Sequence, residues 1–380
     1  MRVYLDHNAT SPLRPEARAA MIAALDATGN AQSVHAEGRR ARGLIETARG
    51  QVAALVGAAP DDVVFTSGGS ESNALALRGA IHGAAVAGAR LTRLIISAIE
   101  HESVRATAAL CEETVPGLRV LVCPVRANGV VDLDALQRLL DEGKGRALVS
   151  VMMANNETGV VQPVAEAVAI ARAHGALFHS DAVQAAGKIP VAGDVDYLSF
   201  NAHKFGGPLG VGALVVRHGA PFVSQTRGGA QELGRRAGTE NVAAIAGFGA
   251  AADLAKRAAL DVAWRAALER RLKGSVTRAV VFGEGCERLA NTVCIAAPGV
   301  PAESMVIALD LDGFAVSAGA ACSSGKVAQS HVLTAMGVEP GLAASAIRVS
   351  FGWNTKEEEL GAFADAWARI VKRAEARAAA

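Results

Sequence analysis

From about residue 62 the chain alternates short, β-branched apolar runs with alanine- and leucine-rich stretches of helical period. The runs are DVVFTS, RLIISA, RVLVCPV, ALVSVMM, ALFHSD, YLSF and GALVV, and stretches such as ESNALALRGAIHGAAVAGA and VAEAVAIARAHGA fill most of the gaps. Continuous apolar strands alternating with helices predict an α/β fold with a mostly parallel, seven-stranded sheet flanked by helices. Too few residues separate YLSF from GALVV for a helical crossover, so these two strands are expected to run antiparallel.

Near residue 240 the pattern changes. An uninterrupted helical period from Val242 to Lys273 contains no proline and predicts one long helix able to link two domains. Beyond it, NTVCIA, FAVSAG and IRVSFGW read as short strands, followed by a closing helix rich in Ala, Glu and Arg. This predicts a smaller α+β domain. We place the large domain at 15–257 and the small one at 1–14 together with 258–380.

Charge removes some function classes. With 38 basic and 37 acidic residues the net charge is +1, which gives no electrostatic case for nucleic acid or an anionic membrane. The opening MRVYLDHNAT has no apolar core of a signal peptide, and five cysteines, an odd number without a CxxC pair, argue against disulfides or zinc. A reducing, cytoplasmic setting is the expectation. Cys123 and Cys294 fall inside strand patterns and read as core, Cys111 lies in a helical stretch, and Cys286 reads as a surface residue without a partner. Cys322, in the small-residue run ACSSG, is the candidate reactive thiol.

Three segments bear the chemistry. In FTSGGSESNAL a strand ends at two glycines and a helix follows, so Gly69 and Ser70 can form a phosphate cup; the alternative is a simple cap with Ser70 at the N-cap. In LFHSDAVQAAGK, Asp181 ends a buried strand, where a carboxylate needs a cationic partner such as a protonated pyridine, and Gln184 lies three residues on; the alternative is a helix cap. In SFNAHKFGGPLGVGALVV, Lys204 ends the next strand beside a glycine turn, where an amine can form a Schiff base; a surface lysine is the plain alternative. Phosphate cup, strand-end acid and strand-end lysine, in that order, fit a pyridoxal 5'-phosphate (PLP) site. His101 after a strand could stack on a ring and shuttle protons, or simply bond backbone. Asn155 and Asn156 could form a turn, or touch a ligand at a strand end. Arg348, inside a β-pattern, needs a carboxylate, either a substrate's or a structural one.

The chain also resembles the group I cysteine desulfurases of the NifS/IscS type, PLP enzymes of fold type I in the class-V aminotransferase family. The resemblance rests on YLDHNAT, TSGGSESN, EHESV, NNETGVVQP, HSDAVQAAGK, SFNAHKFGGPLGVGAL, RRAGTENV, ACSSG and IRVSFG, in one order along nearly the whole chain. It implies that Lys204 binds PLP and moves protons. Asp181 would meet the pyridinium, Gln184 the ring hydroxyl, and His101 would stack on the ring. Gly69, Ser70 and His203 would hold the phosphate, with Thr239 given by a neighbouring subunit of a homodimer. Asn156 and Arg348 would hold the substrate carboxylate, and Cys322 would accept sulfur from L-cysteine. Asn201 departs from the serine common there, which puts one phosphate contact in doubt. An iron–sulfur scaffold or another sulfur-acceptor protein is the partner implied. The cofactor residues alone also fit a selenocysteine lyase or an aminotransferase, and Cys322 separates the readings.

Overall fold

The seven apolar runs form a single sheet, as strands buried on both faces require. In the computed structural model, which describes residues 2–191, 194–257, 261–319 and 329–378, they are β1 (Val63–Thr66), β2 (Leu91–Ser97), β3 (Arg119–Cys123), β4 (Arg146–Ser150), β5 (Leu177–Asp181), β6 (Tyr197–Asn201) and β7 (Gly212–Val216). Their order across the sheet is β1-β7-β6-β5-β4-β2-β3. The strands from β6 through β3 run parallel, whereas β7 is antiparallel to both β6 and β1. The expected reversal between β6 and β7 is therefore present, with Asn201 opposite Gly212 at its tip.

Helices cover both faces. One core packs Ala36–Val56, Val164–Ala173 and Val242–Arg257 onto the sheet, and another packs Gly69–Val86 and Glu102–Thr114 onto its opposite side. Phe248 ties the helix Val242–Arg257 to the sheet: its ring lies 6.1 Å from Phe65, 5.8 Å from Phe200 and 5.9 Å from Phe205. Phe205 immediately follows Lys204, so this aromatic cluster braces the floor of the lysine loop. Fully burying each such ring contributes roughly 1.5–3 kcal/mol.

The uninterrupted helix expected from Val242 to Lys273 is instead two helices, Val242–Arg257 and Val262–Ser275. Asp261 starts the second, its carboxylate accepting the amide of Ala263 at 2.8 Å. An N-cap without glycine or proline leaves the apolar period almost unbroken, which is why the sequence reads as one helix.

The remaining strands form a small antiparallel sheet ordered Ser317–Ala318, Ala346–Ser350, Thr292–Ala296 and Val280–Val281. The run FAVSAG yields two short strands, and Phe314–Ala315 pairs in parallel with Val3–Tyr4 near the start of the chain. Val3 and Leu5 share a separate core with Trp367, Phe351 and Phe363 of the C-terminal part. The start of the chain thus packs with its C-terminal part. It also carries His7 to Ser11 from the small unit to the ends of β5 and β6.

Candidate active site

The strands end in a cavity of about 420 Å³, within the usual range for a small-molecule site. Gly69, Ser70, His101, Asn156, Asp181, Gln184, Asn201, His203, Lys204 and Arg348 all line it. Residues far apart in the chain meet here because parallel strands deliver their C-terminal ends to one edge. Thr239 is exposed and does not line the cavity of its own chain. Cys322 lies outside the described residues.

Lys204 Nζ donates to the carbonyls of Asn8 and Ala9, each at 2.7 Å. The turn after it needs glycine: Gly206 has φ 92°, and a Cβ there would sit 2.6 Å from Arg14 Cγ and 3.0 Å from Trp353 Nε1. Asp181 is buried at the end of β5. Its Oδ2 accepts Asn73 Nδ2 at 2.7 Å and its Oδ1 accepts the amide of Val183 at 2.8 Å, so both oxygens are oriented. It caps no helix, since turns follow it.

The glycine cup differs in one detail from the simple cap. The helix begins at Gly69, and Gly68 rather than Ser70 is its N-cap. The Glu71 carboxylate reaches back to the amide of Ser67 at 2.6 Å, which moves the start one residue ahead of the serine. Ser70 stays exposed at the cavity. A Cβ on Gly69 would meet Val183 Cγ2 at 2.8 Å and Asn201 Nδ2 at 3.1 Å. Asn201 Oδ1 is buried and has no hydrogen-bond partner among the described residues. Its amide therefore sits beside the helix start, where the serine of other sequences is expected.

His101 bonds backbone and also borders the cavity. Its Nδ1 accepts the amide of Ser103 at 3.1 Å as the N-cap of Glu102–Thr114, and its ring lines the cavity. The two asparagines divide the alternatives. Asn155 is buried and builds the turn, accepting the amides of Glu157 at 2.9 Å and Thr158 at 3.0 Å, while Asn156 lines the cavity. Arg348 already holds a structural carboxylate, with Nη2 2.7 Å from Asp6 Oδ1, and Nη1 donates to the Asn156 carbonyl at 3.1 Å.

Electrostatics separate the neutral groups from the charged ones. Burial, then the Lys204 and Lys188 ammoniums, lowers His203 to about 4, so its imidazole is neutral near pH 7. Behind the site, burial and the Asp181 charge raise the Glu100 carboxyl well above its ordinary value. Glu100 Oε1 accepts the amide of Met152 at 2.6 Å.

Sequence reasoning missed Asn8, the hub of the site. It is buried, its carbonyl accepts from both Lys204 and Gln184, and its side chain bonds Lys188, Thr292 and Asn291. A single asparagine in a short polar run has no periodicity to betray it. Cys286 departs from expectation: it is half-buried and its thiol donates to the Gly283 carbonyl at 3.0 Å. Cys123 and Cys294 are core residues as expected, and Cys111 is buried in its helix.

Comparison with known proteins matches the model of the class-V aminotransferases over residues 3–363. A cysteine desulfurase of Cereibacter sphaeroides is 42% identical over 367 residues, covering 94% of this chain and 92% of that protein. A solved NifS-like protein superposes with a TM-score of 0.88 at 34% identity, covering 98% of this chain and all of the other. A structure described as SspA in complex with cysteine superposes with a TM-score of 0.78 at 29% identity, over 92% of this chain and 99% of that one.

Proposed function

We propose, from the premise that the chain belongs to the class-V aminotransferase family, that it is a PLP-dependent cysteine desulfurase. The observation that carries this reading is the convergence on one cavity of Lys204, Asp181, His101 and the Gly69 cup. The donor set fits PLP. The first-turn amides at Gly69 suit a phosphate, and the close approach of Val183 and Asn201 leaves no room there for a side chain. The oriented Asp181 carboxylate suits a pyridinium, and the Lys204 amine suits an aldehyde. Bound PLP supplies an electron sink that labilises bonds at the substrate's Cα and Cβ.

The chain's own groups have distinct tasks. Lys204 would anchor the cofactor and would take and return the substrate's Cα proton. Asp181 keeps the ring nitrogen protonated, held to that task by Asn73 and Val183. Gln184 meets the ring hydroxyl, while Ser70, Asn201 and the neutral His203 hold the phosphate. Asn156 and Arg348 hold the substrate carboxylate, with Asp6 fixing the guanidinium. The Cys322 thiol accepts sulfur: the Cβ–S bond of L-cysteine breaks, an S–S bond forms on Cys322, and L-alanine leaves. Atoms and electrons balance without a further reductant.

That the similar SspA structure is a complex with cysteine supports L-cysteine as the substrate here. We further propose a homodimer in which exposed Thr239 serves the second subunit's phosphate. An iron–sulfur scaffold or another sulfur-acceptor protein would take the persulfide. A reducing, cytoplasmic setting is part of the same proposal, from five cysteines, an odd number without a CxxC pair.

The test is the absorption spectrum of the purified protein before and after L-cysteine, with alanine and sulfide assayed alongside. A visible band that shifts on cysteine and is absent in Lys204→Ala supports the cofactor assignment. Cys322→Ala should keep the band and lose sulfide release. A colourless protein that stays so with added PLP overturns the cofactor reading, and full sulfide release by Cys322→Ala overturns the desulfurase reading.

A further inference from the structure

A second lysine stands behind the cavity lining, bonded to Gln184 and Asn8, and the reaction just described gives it no task. Lys188 Nζ donates to Gln184 Oε1 at 2.7 Å and to Asn8 Oδ1 at 2.9 Å. Both acceptors are neutral. Among the described residues no carboxylate forms an ion pair with Lys188. Burial and the neighbouring Lys204 and Arg348 charges all push its ammonium well below the usual lysine range. A lysine placed at such a cost for charge balance alone would be poorly placed, so its hydrogen bonds are the informative feature.

Those bonds dictate which way two amides face. With Oε1 held by Lys188, Gln184 must present Nε2 on its other side, where one N–H donates to the Asn8 carbonyl at 2.9 Å. Asn8 is fixed in the same way. Its Oδ1 faces Lys188 and Asn291, and its Nδ2 donates to Thr292 Oγ1 at 2.9 Å and the Asn156 carbonyl at 3.2 Å. The Asn8 carbonyl is in turn an acceptor for Lys204 at 2.7 Å. One amine therefore organises both the residue expected at the cofactor's ring oxygen and the backbone that receives the anchoring lysine.

We propose that Lys188 is a positioning residue, which locks the Gln184 amide with its remaining N–H toward the cofactor and fixes the Asn8 segment that holds Lys204. The inference rests on the PLP reading above. The charged and titratable groups around it are Lys204, Arg348, His7 and His203, with Asp6 tied to Arg348 and Asp181 on the same cavity wall.

The experiment is a pH titration of the visible cofactor band in loaded wild type, Lys188→Met, Lys188→Arg, Gln184→Ala and the Lys188→Met/Gln184→Ala double variant. Rates of cofactor release are measured beside it. Loss of a donor to the ring oxygen and of a nearby cation both favour the protonated form. The Lys188→Met midpoint is therefore expected to rise by about one pH unit. Release should quicken about tenfold, corresponding to about 1.4 kcal/mol. Lys188→Arg keeps the charge and the N–H donors and should restore most of both. In the Gln184→Ala background the same change should have less than half its effect. A Lys188→Met variant that titrates and retains cofactor as wild type does would overturn the inference. So would a shift of equal size in both backgrounds, which would mean charge alone. If Lys188→Met does not accumulate as folded protein, Lys188→Gln takes its place with the same expectations. A wild type without the band removes the PLP reading and this inference together, whereas a normal wild type with a silent Lys188 series removes only this inference.

Discussion

Replacing Glu232 by alanine tests how the open edge of the large sheet is sealed. β1 is an edge strand, and its outward-facing groups are Val63 C=O and Phe65 N–H. Glu232 Oε2 accepts the Phe65 amide at 2.8 Å, and Arg49 Nη1 donates to the Val63 carbonyl at 2.8 Å. The two side chains are joined to each other at 2.8 and 3.0 Å, and both are buried. To reach this position Glu232 and Leu233 adopt left-handed backbone, with φ 48° and 56°. They are the only non-glycine residues with positive φ among those described, and each costs roughly 1–3 kcal/mol.

Glu232→Ala leaves the Arg49 guanidinium without its buried partner, a loss of about 3–5 kcal/mol. It also strands the Phe65 amide, which adds about 1–3 kcal/mol. Glu46, 3.1 Å from Arg49 Nε and half-exposed, recovers part of this. A net of about 4 kcal/mol is reasonable. Unfolding entropy of about 2.1 cal/mol/K per residue, over 380 residues, gives about 0.8 kcal/mol/K, so Tm should fall by about 5 °C. The assay is differential scanning calorimetry at matched protein concentration and saturating PLP. The double variant Arg49→Met/Glu232→Leu removes both charges and should recover at least half of the loss. An unchanged Tm in Glu232→Ala, or a double variant losing the sum of both single variants, would refute this reasoning.

Two further outcomes follow from the geometry. Burial raises the Glu157 carboxyl from 4.5 to about 7 while it accepts Ser330 Oγ. The stability this proton gives is complete below the unfolded pKa and is lost as pH rises through about 7. Relative to Glu157→Gln, wild type should therefore lose about 2.5 kcal/mol between pH 5 and pH 8 in urea denaturation, and parallel pH profiles would contradict the assignment. Gly69→Ala should weaken PLP binding about tenfold by overpacking the cup, with Val183→Ala restoring it; a fluorescence titration showing unchanged affinity would refute the close packing.

Legibility was uneven across the molecule. The seven strands and the reversal of β7 were readable because two-sided burial leaves continuous apolar runs and a short loop permits one direction. Asp181 and Lys204 were readable because polar residues at the ends of such runs stand out. The alternative cap at Ser70 lies two residues past the observed N-cap, Gly68, and it is the Glu71 carboxylate that engages the turn before the helix. The new helix start at Asp261 was invisible because alanine-rich periodicity continues on both sides of it. Lys188 was legible only as a letter of the GK pair, since its role depends on Asn8, 180 positions away.

The sequence by itself determined the α/β class, the mostly parallel sheet and the identity of the site's strand-end groups, because these depend on local patterns of burial and on chemistry carried by single side chains. Tertiary structure decided the rest. It brought the Asn8 segment from the small unit to the strand ends and gave Arg348 its partner Asp6. It sealed the sheet edge with Arg49 and Glu232 and set a second ammonium beside the first. The reason is physical: a hydrogen bond or a pKa depends on distance in space, and residues hundreds of positions apart become neighbours only when the cores close.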